Sequence, residues 1–290
     1  MSTLSIIHLR LMRDPIRIIS DLHLGHPASL IEDPTDLAPL LKGIGTMVFN
    51  GDSAEMRYIK DRDVGQKLLE CLREFCQTAG VDPVFVGGNH DPSASSLSHL
   101  DLAGGAVLVT HGDMLFHDIS PWSIEAELLR DAHIQAIQEL DDDAFTDFEK
   151  RLHANKRASL ALELVSSKFH RGPLARLAVL IKECWPPSRP LRILKVWRDT
   201  PACAEALARV FRPRARFIVV GHTHLQGIWR RNPRVVINTG SFTPPLGRLA
   251  VDLEGDRLKV RKIVRKSGRF EIGNTLAEFE VTRLRAHDGF

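Results

Sequence analysis

Five short stretches of this sequence carry side chains able to bind metal: Asp21-Leu22-His23, Gly51-Asp52, Gly87-Gly88-Asn89-His90-Asp91, His111-Gly112-Asp113 and Gly221-His222-Thr223-His224. Carboxylate, imidazole and amide donors without thiolates suit manganese, iron, zinc or magnesium rather than a soft-metal site. The inventory is large enough for two ions. Asp21 and His23 stand two apart, so in extended backbone both side chains point the same way and can reach one metal. His222 and His224 repeat that spacing, with Cα atoms ~6–7 Å apart. That is wide for a shared ion but suits two ions ~3.5–4 Å apart, one imidazole each. Asp52 is the natural carboxylate to bridge them.

Each stretch must be held in place, and each follows a short apolar run. Ile16 to Ser20 leads into Asp21, Thr46 to Asn50 into Gly51, and Val84 to Val86 into Gly87. Ala106 to Thr110 leads into His111, and Phe217 to Val220 into Gly221. Runs of this length and type read as strands buried on both faces. In open α/β sheets the carboxyl end of a strand is where ligands bind. The segment from Val84 to Asp91 is the pivot, since two glycines end the strand abruptly and Pro92 stops it from continuing. Between the runs, Val64, Leu68, Leu72 and Phe75 keep a helical spacing from Asp63 to Thr78, and a shorter helical pattern lies around Asp36 to Leu41. Strand and helix alternation predicts a largely parallel sheet with right-handed crossovers. Later strands are read at Val235–Asn238, Arg248–Leu253 and Arg257–Val264, the last two joined by the turn Glu254-Gly255-Asp256.

As an ordered set, Asp-x-His, Gly-Asp, Gly-Asn-His-Asp, His-Gly and Gly-His-x-His resembles the calcineurin-like metallophosphoesterases, over roughly Ile16 to Asp113 and Phe217 to Val264. The resemblance implies a four-layer α/β/β/α sandwich and a dinuclear centre of two divalent metal ions, manganese favoured, with iron, zinc or magnesium as alternatives. It implies that one metal takes Asp21, His23, Asp52 and His224, and that the other takes Asp52, Asn89, His111 and His222. A bridging water, activated to hydroxide, would then attack a phosphate ester or pyrophosphate bond. His90, outside the ligand set, would donate a proton or hydrogen bond toward the leaving oxygen. Asp91 would orient that imidazole and raise its pKa. One departure concerns Gly51-Asp52-Ser53-Ala54-Glu55, where many relatives carry another acid a few residues after Gly-Asp. Either Glu55 substitutes, or Ser53 and Arg57 face the substrate.

Asp113, Arg57 and Arg157 are the candidate substrate contacts. His111-Gly112-Asp113 before a long helical segment, with Asn155-Lys156-Arg157 inside it, also looks like the UDP-diacylglucosamine pyrophosphatases. Those relatives usually carry arginine where this chain has His90. A reading of a different class is a non-catalytic binding scaffold on the same fold, which would be expected to lose ligands, and none is missing.

The 290 residues are ordinary for a globular protein, with 43% hydrophobic and 26% charged residues. A formal charge of +3 is too mild to announce nucleic-acid or membrane binding. A single tyrosine argues against stacking on single strands. The expected partner is a small phosphorylated substrate, nucleotide- or lipid-linked, with peripheral membrane contact left open. Cys71, Cys76, Cys184 and Cys203 form no disulfide framework, and no apolar run approaches the ~20 residues of a spanning helix, so a cytoplasmic setting is expected. The chain is divided into a core (1–115), a helical insertion or cap (116–212), the second part of the core (213–265) and a C-terminal arm (266–290). The first helix of the insertion should start at Ser120-Pro121, with helices through Ile124–Leu140, Leu152–Leu164, Leu174–Cys184 and Ala202–Val210. A short helix is expected near Asn274 to Phe279, and Arg230, Arg231 and Arg234 are expected in a surface loop. His8, His99, His133, His153, His170 and His287 are expected to be solvated.

Overall fold

The computed structural model describes residues 12–57, 62–123, 125–140, 147–161 and 188–282. Strands β1 (Ile16–Ile19), β2 (Thr46–Asn50) and β3 (Asp82–Val86) pair in parallel. Strands β9 (Arg248–Glu254), β10 (Arg257–Lys266) and β11 (Arg269–Glu280) extend that sheet antiparallel, in the order β11-β10-β9-β1-β2-β3. The second sheet has the order β4-β5-β6-β8-β7. It comprises β4 (His99–Leu102), β5 (Val107–Thr110), β6 (Phe217–Val220), β7 (Gly227–Arg231) and β8 (Arg234–Asn238). Its central three strands are parallel and both edges antiparallel.

Period-two alternation explains why the strands read as continuous apolar runs. One face of the first sheet, with Ile16, Ile18, Val48 and Val86, packs on Val107, Val109, Phe217 and Ile237 of the second. Its other face, with Ile19, Met47, Phe49 and Phe85, covers Leu37 and Leu40 of a 3-10 helix (Pro34–Leu41) and Leu69 and Leu72 of α1 (Arg62–Thr78). The far face of the second sheet, with Leu108, Ile218 and Val220, packs on Phe148 and Leu152 of α3 (Phe148–Ala161) and on Ala204 and Leu207 of α4 (Ser188–Phe211). The layers are therefore α/β/β/α. Parallel registers such as Ile19↔Phe49, Asn50↔Val86 and Val109↔Val219 bring the carboxyl ends of β1, β2, β3, β5 and β6 to one edge.

Within the segment expected as a cap, α3 and α4 supply the outer layer of the second sheet, while α2 (Ala126–Gln138) packs on α3. Helix α4 begins before the expected start at Ala202 and takes up Pro190 in its first turn, where proline lacks no needed donor. Ile124, Asp141 to Asp143, Leu164 and the helix expected at Leu174–Cys184 lie outside the described residues. The helix expected near Asn274 to Phe279 is instead part of β11. Phe270 is buried and Phe279 packs against the core between the sheets, so pairing with β10 outweighs local helical pattern. Arg230, Arg231 and Arg234 stand in the hairpin β7–β8 rather than a loop. His99 and His133 are buried rather than solvated. Arg212 Nη2 lies 2.9 Å from the His99 ring, and His133 Nδ1 donates to the His117 carbonyl at 3.1 Å. Among the described residues Cys71, Cys76 and Cys203 are free thiols, and no helix is long and apolar enough to cross a membrane.

Candidate metal centre

The loops leaving the strands turn sharply, and the turn falls on the candidate ligands themselves. Asp21, His23, Asp52, His222 and His224 all have left-handed backbone, with φ of 54°, 50°, 51°, 65° and 61°. Such a conformation costs roughly 1–3 kcal/mol per residue and survives only where the surroundings over-determine it. Here they do. Asp21 N–H donates to the Gly51 carbonyl (3.1 Å), His23 N–H to the Asp52 carbonyl (2.9 Å) and His222 N–H to the Asp21 carboxylate (3.1 Å). Two glycines make room for this crowding. A Cβ on Gly88 would lie 2.3 Å from Asp52 Oδ1, and one on Gly221 would lie 2.3 Å from Asp21 Oδ2. Gly221→Ala is accordingly expected to displace Asp21 and weaken metal binding by roughly 10–100-fold, the loss typical of a disturbed supporting shell. Calorimetric metal titration measures it, with circular dichroism showing that the fold is kept.

Two groups of donor atoms converge at this edge, Asp21, His23 and His224, and Asp52, His111 and His222, and a third, His23, Glu55 and His90, adjoins the first through His23. In the first, His23 Nε2 lies 3.1 Å from His224 Nε2, and Asp21 Oδ1 lies 3.3 Å from the latter. In the second, Asp52 Oδ2 is 3.2 Å from His111 Nε2. The same oxygen is 3.8 Å from His23 Nε2, so Asp52 joins the groups. Neighbouring carbonyls fix the rings, because a carbonyl only accepts. His111 Nδ1 donates to Asn50 O (2.9 Å), which directs Nε2 inward, and His222 Nε2 donates to Ile119 O (2.7 Å), which directs Nδ1 inward. His111 Nε2 and Asn89 Oδ1 are buried with no hydrogen-bond partner. Orphaned buried donors beside two carboxylates are what hard or borderline divalent cations satisfy, so the residues present fit such ions.

Electrostatics agree. Burial disfavours charge on Asp52, yet the imidazoles of His111, His90 and His23 hold its carboxyl well below the usual range. Burial would also depress His111, but Asp52, Asp21 and Asp113 together raise it well above the ordinary histidine value. His222 is pushed down to about 3 by burial and the neighbouring His111, so its imidazole is neutral with a free lone pair.

His90 stands beside these groups, its ring 4.8 Å from that of His23. The expected role of Asp91 is corrected. Its buried carboxylate accepts from the backbone N–H of Asp52 (3.0 Å), Ser53 (2.7 Å) and Gly88 (2.9 Å), so it ties the β2 and β3 loops together. Burial and the charge of Asp52 push its pKa up to about 7. The partner of His90 is Glu55, whose Oε2 lies 2.9 Å from Nδ1. The chain turns Asp91 back toward the backbone it follows, whereas Glu55 arrives from β2 already facing the ring. Burial would lower the His90 pKa, but Glu55 and Asp52 outweigh it and raise it above the ordinary value.

A segment after β5 crosses the site: Ser120-Pro121, expected to start a helix, lies in a turn there, and the helix begins only at Ala126. Ile119 supplies the carbonyl for His222 from a left-handed conformation (φ 56°), rare for a β-branched residue. Ser120 Oγ lies 3.4 Å from Asn89 Nδ2, and the Trp122 indole lies 5.0 Å from the His222 ring. Ser20 and Thr239, also unforeseen, hold Asp21 through a hydroxyl chain in which Ser20 Oγ bonds the carboxylate. Of the candidate substrate contacts, Arg57 reaches the site, with Nη1 3.4 Å from His90 Nε2. Asp113 is buried near His111 and accepts from Asn155 Nδ2 at 2.5 Å. Arg157 is corrected: it is half-exposed on α3 and pairs with Glu139, while Asn155 of the same helix is the residue that faces Asp113.

No family model matches this chain, and no curated protein matches it. Among solved structures it is similar to vacuolar protein sorting 29 from Cryptosporidium parvum, at 14% identity over 93% of this chain and 99% of that one, with a TM-score of 0.45. It is similar to a dimetal phosphatase from Danio rerio at 13% identity, over 89% and 98% of the two chains, with a TM-score of 0.43. It is also similar to a conserved phosphoesterase-like protein of Streptococcus pneumoniae, at 16% identity over 93% and 99%, with a TM-score of 0.38. The site's own geometry therefore carries the function proposed below.

Proposed function

We propose that this protein hydrolyses a phosphate ester or pyrophosphate bond at a centre of two divalent cations. The observation that carries this reading is the pair of donor groups joined by Asp52, with His90 beside them, paired to Glu55 in a third group that shares His23. Asp21, His23 and His224 would hold one ion, and Asp52, Asn89, His111 and His222 the other, with Asp52 shared. When bound, two such cations supply charge stabilisation for a phosphoryl group and activate water near neutral pH. The chain's own residues do the rest. Glu55 accepts a hydrogen bond from His90 Nδ1–H, which fixes the ring and leaves the Nε2 proton free to move to the leaving oxygen. Arg57, next to Nε2, places a guanidinium where a phosphoryl oxygen would arrive.

A hydrolysis screen over phosphate mono-, di- and pyrophosphate esters tests this, with manganese added and then removed by a chelator. Turnover should be lost on chelation and restored by manganese. Stoichiometric metal binding without hydrolysis of any ester would overturn it in favour of a binding module.

The carboxylate of Glu55 also sets a pH dependence. Because His90 is held above its ordinary pKa, its acid form persists to higher pH than that of an ordinary histidine, and activity should fall as pH rises through that raised value. Glu55→Gln removes the charge that raises it, so the alkaline limb of the kcat/KM profile should move to lower pH. An unmoved limb would show that His90 is not the proton donor.

A further inference from the structure

The segment that crosses the site reaches beyond the ligands to Arg57. Glu125, which opens α2, places Oε2 3.5 Å from Arg57 Nη2, and the two side chains are only 16% and 19% exposed. Ser123 Oγ bonds the same carboxylate oxygen, and the Glu125 N–H donates back to Ser123 Oγ at 3.2 Å, which fixes the acid in place. On the other side Arg57 N–H donates to Glu55 Oε1 at 3.2 Å. The result is a linear set, Glu55–His90–Arg57–Glu125, in which each cationic ring or guanidinium has its own carboxylate. The guanidinium beside His90 therefore meets substrate with its charge already matched.

That matters for the charge of the phosphoryl group. A phosphodiester carries one negative charge at neutral pH, and a phosphomonoester approaches two, like a phosphorylated side chain with its second pKa near 6. The additional charge sits on a terminal oxygen that needs a further cation. Arg57 is the guanidinium beside His90 that could serve it, and Glu125 occupies Arg57 while repelling a second negative charge nearby. We propose that Glu125 is a specificity-determining residue that sets this site for phosphodiester monoanions and against phosphomonoester dianions. The proposal rests on the phosphoesterase reading above and adds the substrate class.

The test compares bis(4-nitrophenyl) phosphate with 4-nitrophenyl phosphate on the manganese-loaded protein and its Glu125→Gln variant. The ratio of monoester to diester kcat/KM should rise by about tenfold in the variant, the order expected for removing one close like charge. Adding Arg57→Gln should abolish that rise, since Glu125 acts through Arg57. Binding gives a readout independent of turnover. Inorganic phosphate should bind Glu125→Gln more tightly by calorimetry, while dimethyl phosphate should bind both proteins alike. A ratio unchanged by Glu125→Gln, or equal gains for both ligands, would overturn the proposal. Absence of hydrolysis in the parent protein would instead sink the phosphoesterase reading, and the phosphate and dimethyl phosphate affinities would still judge Glu125.

Discussion

Asp52→Ala is expected to abolish metal loading and hydrolysis together. Its carboxylate is buried at the centre of the site, with Oδ2 3.2 Å from His111 Nε2 and 3.8 Å from His23 Nε2. Among the described residues Asp52 is the carboxylate that lies within 4 Å of a histidine from each donor group. Oδ1 also accepts the His90 backbone N–H at 2.8 Å, so the same residue ties the loop after β3 to the loop after β2. Removing it takes away the candidate shared ligand and the carboxylate charge that raises the His111 pKa. Elemental analysis should show metal content falling well below that of the parent protein, and turnover should fall to background. Because burial makes Asp52 costly as well as useful, the variant's fold should be checked by circular dichroism in chelator. A folded variant that keeps both metals would refute the shared role of Asp52.

The second large effect separates chemistry from metal binding. His90→Ala should lower kcat by roughly 10²–10⁴-fold, the range for losing a positioned acid or base. Metal content should be unchanged, because His90 pairs with Glu55 and Arg57 while Asp21 and Asp52 gather the other imidazoles. An ester with a good leaving group needs little protonation, so 4-nitrophenyl esters should lose less than alkyl esters. Equal losses on both, or a parallel loss of metal, would mean that His90 acts as a ligand or a structural residue instead.

The candidate ligand motifs were legible because each is written within a few consecutive residues. An apolar run specifies a doubly buried strand, a glycine beside it permits close approach, and the polar residues after it stand at the strand's end. All five runs are strands in the structure, and their ends, three from one sheet and two from the other, meet at one edge of the sandwich. The helix at Asp63–Thr78 and the turn at Glu254-Gly255-Asp256 were legible for the same reason, being set by short-range periodicity and turn chemistry. Partnerships across the chain were not. Asp91 follows His90 directly and reads as its partner, yet neighbouring residues in a tight turn diverge, and Asp91 bonds backbone N–H groups of the β2 loop. Glu55, thirty-five positions away, takes the imidazole.

The sequence by itself determined which side chains are candidate metal ligands, which strands deliver them and the type of chemistry they suit, since residue type and spacing of two or three positions decide these. Only the tertiary structure decided that Glu55 orients His90, that the Ile119 carbonyl aims His222, that Glu125 matches Arg57 and that β11 completes the first sheet. Each of these depends on where separate segments of backbone come to lie once the apolar layers have packed. Local spacing cannot encode that, because the same hydrogen-bonding groups are free to pair with whichever segment the core brings within reach.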